Sequence, residues 1–262
     1  MAVMNWLSID VARKSYGPKS YDKGARADRD GAVSEAPTAV LENVALSIEY
    51  GAFVCILGPS GCGKTTLLNL VAGLDKNFVG NIALRATRAQ REARIGYVFQ
   101  SPALLPWRTV GENLKLVMRP DQTGSGVERE LLSQMGLADC YDAYPRDLSL
   151  GMSRRVALAR ALVIEPDLLL MDEPFVSLDE SKAAELRQLL MRFWKARTMT
   201  VLFVTHDSRE AIQLGQRIIV MAGSPATVQR DEMVILSPEQ REDPLYIEAL
   251  RKQILNHTGP QL

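Results

Sequence analysis

Cysteine is scarce in this chain of 262 residues, which has only three, at positions 55, 62 and 140. An odd number without a pairing pattern argues against a disulfide framework and indicates reduced thiols, as in a cytosolic protein. No stretch approaches the roughly 18 consecutive apolar residues of a membrane span. The first ten residues also lack the basic region and apolar core of a signal peptide. These absences predict a protein that is neither secreted nor itself a channel, although a partner can hold it at a membrane.

Net charge is absent too, since 31 Lys and Arg residues balance 31 Asp and Glu residues. Binding to a phosphate backbone needs a basic excess, so nucleic acid is not expected as the main partner. The apolar fraction of 47% and the charged fraction of 24% are ordinary for a globular protein. The length allows one large domain or two small ones.

One glycine-rich motif is present in full. It comprises Gly58, Pro59, Ser60, Gly61, Cys62, Gly63, Lys64, Thr65 and Thr66. The first eight fit G-x-x-x-x-G-K-[ST], in which backbone N–H groups surround a triphosphate, the lysine reaches the β- and γ-phosphates and the hydroxyl ligates Mg²⁺. An apolar run over residues 52–57 precedes the loop, and helical spacing over 64–72 follows it. Strand, loop and helix form the context that this motif requires, because the helix N-terminus adds its dipole to the anion site.

Polar residues follow three further apolar runs, at Gln100, at Asp172 with Glu173, and at His206. The runs alternate with helical patterns, which predicts βαβ units and a parallel sheet whose carboxyl ends meet at one edge. Asp172 is suited to hold a metal, and Glu173 to serve as the general base for an attacking water. His206 and Gln100 are placed to reach the phosphate, the water or the metal.

With these residues the chain resembles the ATP-binding subunits of ABC transporters over essentially its whole length. The matching segments are the signature at 148–152 with its helix to 162, the Walker B segment at 168–174, the D-loop at 177–179, the switch segment at 205–207 and the Q-loop at Gln100. Other P-loop families lack this signature, so the resemblance is specific.

The resemblance implies a fold as well as an activity. We expect an α/β P-loop NTPase core of the ABC type, a mixed sheet with flanking helices, and an inserted helical subdomain over about 101–166. We treat 1–262 as a single domain, with an insertion at 18–37 that we expect to be flexible because almost nothing apolar occurs there, and a short C-terminal tail at 224–262.

Site roles follow from the same resemblance. The catalytic residues are expected to be Glu173, His206 and Gln100, and the Mg²⁺ ligands Thr65, Gln100 and Asp172. Further contacts to ATP are expected from Tyr16, which stacks on adenine (with Tyr21 as the alternative), and from Ser149, Gly151 and Asp179. Cys62 is either a small residue tolerated in the loop or a redox-sensitive thiol beside ATP.

The implied partners are a second ATP-binding subunit, membrane permease subunits and a periplasmic-type solute-binding protein. In such a dimer Ser149 of one subunit faces the ATP on the other. The segment after Gln100 is expected to touch the permease through Leu104, Leu105 and Trp107, unless these residues pack inside the helical subdomain. The sequence of residues 104–109 resembles that of the ATP-binding subunits of importers of the nitrate, sulfonate, taurine and bicarbonate group. This places the chain at the cytoplasmic face of the inner membrane, as a peripheral subunit.

Three alternatives remain open on the residues alone. Soluble ABC-type ATPases serve translation and DNA repair, but they usually carry two nucleotide domains or a long coiled coil. The chain can also form half of a heterodimer whose partner has a better signature. A regulator that binds nucleotide without hydrolysis is disfavoured by the presence of Glu173 and His206.

Leu150 departs from the family pattern, which has glycine at this position. Glycine at a phosphate contact permits close backbone approach or a positive φ, and leucine adds a side chain there. We therefore expect Leu150→Gly to raise the ATPase rate of the assembled complex, measured as phosphate release at saturating ATP. An unchanged or lower rate would contradict the hypothesis and favour a leucine that lies away from the nucleotide.

Overall fold

The computed structural model describes residues 5–17, 37–85 and 91–255. The proposed insertion at 18–37, apart from its last residue, and Tyr21 lie outside the described residues. The strands are β1 (Asn5–Tyr16), β2 (Thr38–Glu49), β3 (Phe53–Leu57), β4 (Val79–Leu84), β5 (Ile95–Val98), β6 (Leu168–Asp172), β7 (Thr200–Thr205), β8 (Arg217–Gly223) and β9 (Ala226–Met233). The helices are α1 (Lys64–Val71), α2 (Val110–Lys115), α3 (Val127–Gln134), α4 (Leu150–Leu162), α5 (Glu180–Ala196), α6 (Ser208–Leu214), α7 (Pro238–Glu242) and α8 (Pro244–Leu255).

The described strands form one sheet in the order β4-β1-β2-β9-β8-β3-β7-β6-β5. Its β8-β3-β7-β6-β5 half is parallel throughout, whereas β1 pairs with β2 and β4 in antiparallel fashion. The β9 strand is antiparallel to β8 and parallel to β2. The expected mixed α/β sheet with flanking helices is therefore confirmed.

Both faces of the central strands are buried. In β3, Phe53 and Cys55 belong to the core beneath the helices that follow β5, while Val54 and Ile56 belong to the core around α1 and β1–β2. This alternation follows from the two-residue period of a strand. Continuous apolar runs are the expected signature of parallel strands covered on both sides.

The helical region over 101–166 packs on the first of these cores. It contains α2, α3 and α4 with three short 3₁₀ turns. Buried apolar side chains of all three helices, including Leu114, Leu132 and Leu158, join the core that contains the sheet residues Phe53 and Phe203. The helices therefore hold α4 in a fixed position next to β5.

Two boundaries differ from those expected. The strand before Gln100 ends at Val98, so Gln100 lies in the loop beyond β5 and not directly at the strand end. The segment treated as a tail from 224 contributes β9 to the sheet before continuing into α7 and α8. The reason is that β9 pairs with the apolar β8 over seven residue positions, although only Ala226 of β9 is buried and its polar sequence gives a weak signal. Among the described helices, none is long and apolar enough to cross a membrane.

Candidate nucleotide site

The glycine-rich loop connects β3 to α1 and depends on glycine at two positions. A Cβ at Gly58 would lie 2.3 Å from the Met221 carbonyl oxygen of β8, which is far too close. Gly63 has φ +104 and packs against Leu41 and Val40 of β2, where a Cβ would meet Leu41 Cδ2 at 2.8 Å. Glycine is the residue that tolerates both the close approach and the left-handed backbone. The loop is thus fitted between β8 and β2, and α1 begins directly at Lys64.

The Lys64 ammonium is buried, with the residue only 4% exposed. Its Nζ donates to the carbonyl oxygens of Gly58 and Pro59, each at 2.8 Å, and lies 3.6 Å from Glu173 Oε1. A buried cation requires such partners, because removing it from water without them costs about several kcal/mol. The lysine is therefore oriented inside its own loop and points toward the carboxylate that follows β6.

Asp172 ends β6 and contacts the start of α1. Thr65 Oγ1 donates to Asp172 Oδ2 at 2.8 Å. Burial raises the pKa of Asp172 above its usual value, Glu173 adds to the rise, and the Thr65 hydrogen bond and Lys64 oppose it. The pair offers hydroxyl and carboxylate oxygens, the hard ligands that Mg²⁺ accepts beside phosphate and water. The donor set thus fits a magnesium ion.

Glu173 is held from two sides. Its Oε2 lies 3.0 Å from His206 Nδ1, opposite the contact of Oε1 with Lys64. An ionised carboxylate can only accept, so this hydrogen bond to it requires the imidazole tautomer with the proton on Nδ1. The Glu173 side chain is 12% exposed and that of His206 is 50% exposed. The carboxylate is therefore largely shielded, while the imidazole faces the surface.

The backbone at Glu173 adopts φ +44, which is unusual for a residue with a side chain. Its N–H still donates to the Val204 carbonyl at 2.9 Å, so the peptide stays attached to β7 as the chain turns out of β6. Such outliers persist where the surrounding structure imposes them, and they cluster at functional sites.

Gln100 lies near this edge of the sheet, but its side chain is not hydrogen-bonded to the other described site residues. It is exposed in the loop after β5, and its carbonyl accepts a hydrogen bond from Arg154 Nη1. Within the described residues, its side chain has no hydrogen bond to Thr65, Asp172 or Glu173. The structure therefore brings Lys64, Thr65, Asp172, Glu173 and His206 together and leaves Gln100 beside them.

Tyr16 ends β1, where it is 42% exposed. Its hydroxyl donates to Asp75 Oδ2 at 3.3 Å, and Lys14 Nζ lies 4.4 Å from the ring centroid. Lys14 is almost fully buried and pairs with Asp75 at 2.6 Å. The contact of Lys14 with the Tyr16 ring and with Asp75 was not predicted from the sequence. A lysine two residues before an aromatic residue is not a signal for such a contact.

The signature residues lie at the start of α4. Ser149 is the N-cap, and its Oγ accepts from the Met152 N–H at 3.3 Å, which leaves the hydroxyl proton free to donate. Gly151 lies against the Lys182 side chain. Among the described contacts, none joins these residues to the loop at 58–66 of the same chain. Leu150 is the first residue of α4 and is 44% exposed. Its φ is not positive, so a glycine here would be favoured only by close approach of the backbone to a phosphate and not by backbone conformation.

Asp179 caps α5. Its carboxylate accepts from the Lys182 N–H at 3.0 Å and from Lys182 Nζ at 2.6 Å. The hydrogen bond from the Lys182 side chain lowers the pKa of Asp179, so Asp179 is ionised at neutral pH.

Cys62, in the glycine-rich loop, is buried, and burial raises the pKa of its thiol. The thiol form therefore predominates at neutral pH, which favours the interpretation as a small residue that fills space in the loop.

Comparison with known proteins agrees with this geometry. The ABC transporter family model matches residues 41–176. The chain belongs to the ABC transporter family. It is accordingly an ATP-binding and ATP-hydrolysing subunit, with the nucleotide-binding loop, the Walker B carboxylates and the signature all inside the matched range.

Curated relatives support the same family. The chain is 38% identical over 218 residues to an aliphatic sulfonates import ATP-binding protein of Bacillus thuringiensis subsp. konkukian, covering 82% of this chain and 87% of the relative. It is 36% identical over 253 residues to the protein of the same name in Bacillus licheniformis, covering 95% and 92%. A solved ATP-binding cassette, a dimer in a post-hydrolysis state with ADP and phosphate, is 30% identical with a TM-score of 0.71, covering 88% of this chain and all of that one.

Glu210, in the first turn of α6, makes the stability of the folded chain depend on pH. Burial raises the pKa of Glu210, against the hydrogen bond that it accepts from Thr205 Oγ1 at 2.6 Å; Asp207 raises the pKa further, and Arg187 and His206 lower it. The folded protein then binds more protons than the unfolded chain between the usual and the raised pKa, so stability falls as pH rises through that window.

We expect Glu210→Gln, which keeps an acceptor for Thr205, to flatten this fall and to unfold at a higher temperature than the wild type above the window. The measurement is the midpoint of thermal unfolding from pH 4 to pH 8 without nucleotide. The exposed Glu232→Gln serves as the matched control and should keep the wild-type slope. Equal slopes in all three proteins would contradict the prediction.

Proposed function

We propose that the chain powers a membrane importer for a small sulfonate-like anion, using a composite ATP site formed by two copies. The observation that carries the catalytic part is the placement of the Glu173 carboxylate between Lys64 and His206, at the edge where Asp172 meets Thr65. The substrate class rests on the names of the relatives, which are aliphatic sulfonate import proteins.

The proposed hydrolysis uses the oriented groups in sequence. The loop N–H groups and the α1 N-terminus bind the phosphates, and Lys64 neutralises the β- and γ-phosphates. Mg²⁺, held by Thr65 and Asp172 with Gln100 nearby, would supply positive charge to the phosphate oxygens. Glu173 takes a proton from water as the water oxygen attacks the γ-phosphorus and the bond to the bridging oxygen breaks, which yields ADP and phosphate.

His206 holds and assists Glu173 in this scheme. Its ring hydrogen-bonds Oε2, which fixes the carboxylate and leaves the other ring nitrogen toward the surface, where the γ-phosphate of a bound nucleotide is expected. Tyr16 would stack on adenine with its exposed face, since Lys14 covers the other. Cysteine chemistry at position 62 is not part of the scheme.

The second half of the site is proposed to come from another copy. Ser149 retains a free hydroxyl proton at the N-terminus of the 13-residue α4, an arrangement suited to the γ-phosphate of a partner subunit's ATP. Gly151 and Asp179 both lie next to the Lys182 side chain and would support this contact. The solved cassette of similar fold is a dimer, which favours two copies over a monomer.

The permease contact is proposed for the segment after Gln100. Leu104 packs against the main core, whereas Trp107 is 69% exposed. A cleft of about 390 Å³ lies beside the segment and is lined by apolar side chains that include Tyr97, Phe99, Leu105, Leu116 and Val117. An exposed aromatic side chain on a segment that also lines an apolar cleft is typical of the centre of a protein contact. The subunit would thereby sit at the cytoplasmic face of the inner membrane, with a solute-binding protein on the opposite side.

We expect Glu173→Gln to bind ATP and to lose turnover by about a hundredfold or more, because general-base catalysis commonly contributes factors of this size. The variant should form a stable dimer with ATP. Phosphate release and light scattering with and without ATP measure the two effects. The exposed Glu92→Gln is the control and should behave as wild type. Undiminished turnover would show that the base is another group.

The importer assignment is tested by recovering the tagged chain from detergent-treated membranes and identifying its partners. Trp107→Ala should reduce the recovery of permease subunits by about tenfold, as expected for loss of an aromatic anchor, whereas Tyr246→Ala, which removes a half-exposed aromatic residue from α8, should not. Any solute receptor recovered is then titrated with an alkanesulfonate, nitrate and bicarbonate. Recovery of ribosomes or DNA instead of membrane proteins would support the soluble ATPase alternative.

A further inference from the structure

Two arginines of α4, Arg154 and Arg160, have no part in the proposed hydrolysis, yet both are directed at backbone carbonyls. Arg160 donates from Nη1 to Ala103 at 2.8 Å and from Nη2 to Pro102 at 2.9 Å. Arg154 donates from Nη1 to the carbonyl of Gln100. The signature helix therefore holds the backbone of the loop that leaves β5.

Arg154 also reaches a second loop. Its Nη2 donates to the Val176 carbonyl at 3.2 Å, and the Val176 N–H donates to the Glu173 carbonyl at 3.3 Å. One guanidinium thus joins the Gln100 peptide to the tight turn that begins at Glu173. Because the guanidinium is planar and rigid, its two donors hold the two carbonyls at a fixed separation.

Burial of the Arg154 guanidinium opposes folding. Arg154 is 5% exposed, and within the described part of the chain its charge has no carboxylate within salt-bridge distance. Its Nε is buried there without a hydrogen-bond partner, and burial lowers the pKa of the guanidinium. Desolvation of a guanidinium without a carboxylate partner opposes folding, so this contact stabilises the fold less than its two hydrogen bonds alone would suggest.

We propose that Arg154 is a positioning residue for ATP hydrolysis, which sets the location of Gln100 relative to Glu173 by joining the carbonyls of Gln100 and Val176. The proposal rests on the roles given above to Gln100 and Glu173. In this proposal, α4 transmits a shift of the loop after β5 to the turn that carries the Glu173 carboxylate.

The test is a double-mutant cycle in ATP turnover by the full-length chain, with Arg154→Gln and Gln100→Ala. A glutamine amide can reach only one of the two carbonyls. We expect Arg154→Gln to lower kcat about tenfold with KM for ATP within about twofold, since Arg154 touches no residue of the loop at 58–66. Contacting residues of one network are non-additive. The double variant should therefore fall no more than about twofold below the slower single variant, instead of showing the product of the two losses.

Arg160→Gln is the matched control. Arg160 lies on the same helix and also donates to two backbone carbonyls, but those are the carbonyls of Ala103 and Pro102 and not of Gln100 or Val176. We expect its kcat within about twofold of the wild type, and its effect should multiply with that of Gln100→Ala, as for independent sites. Thermal unfolding midpoints of all variants separate loss of positioning from loss of fold.

Arg154→Lys extends the test if the glutamine variant fails to fold. A lysine retains the charge and one carbonyl bond, so kcat should lie between those of the wild type and Arg154→Gln. The inference is overturned if Arg154→Gln or Arg154→Lys turns over at the wild-type rate, if the cycle is multiplicative, or if Arg160→Gln loses as much activity as Arg154→Gln. A wild-type chain without ATPase activity would instead refute the proposed function itself.

Discussion

The burial of the Lys64 ammonium is the constraint on which the rest of the site depends. A buried cation must be surrounded by acceptors, and here two of these are carbonyls of its own loop while the third is Glu173. That third contact requires β3 and β6 to lie on either side of β7 with their carboxyl ends level. His206, which follows β7, then falls between them. The order of three strands thus determines the arrangement of the proposed catalytic groups.

The helix α4 imposes a second constraint. It presents Ser149 at its N-terminus toward the solvent, and its arginines hold the loop after β5. The same helix is anchored in the core by a buried face of alanine, valine and leucine. A rigid element that carries the proposed nucleotide contact at one end and holds two loops along its side is suited to couple subunit contacts to chemistry.

Much of this could be predicted from the sequence because the signals are local. The loop at 58–66, the apolar strands before Asp172 and His206, and the signature each occupy a few consecutive residues. Their strand ends meet because parallel strands place their carboxyl ends at one edge. The β9 strand was not predicted, since its half-exposed pattern gives a weak signal and its pairing with β8 and β2 depends on the rest of the sheet. The contacts of Asp75 with Lys14 and with Tyr16 likewise join residues about 60 positions apart.

The sequence by itself determined the family, the nucleotide and the identity of the groups that can act on it, because phosphate binding demands particular residue types at short spacings. Only the tertiary structure decided which of those groups touch. It placed Glu173 between Lys64 and His206, left the Gln100 side chain outside their hydrogen bonds, and joined the Gln100 peptide to Val176 through Arg154. The physical reason is that burial and hydrogen bonding between residues distant in the chain are set by strand order and helix packing, neither of which leaves a local pattern.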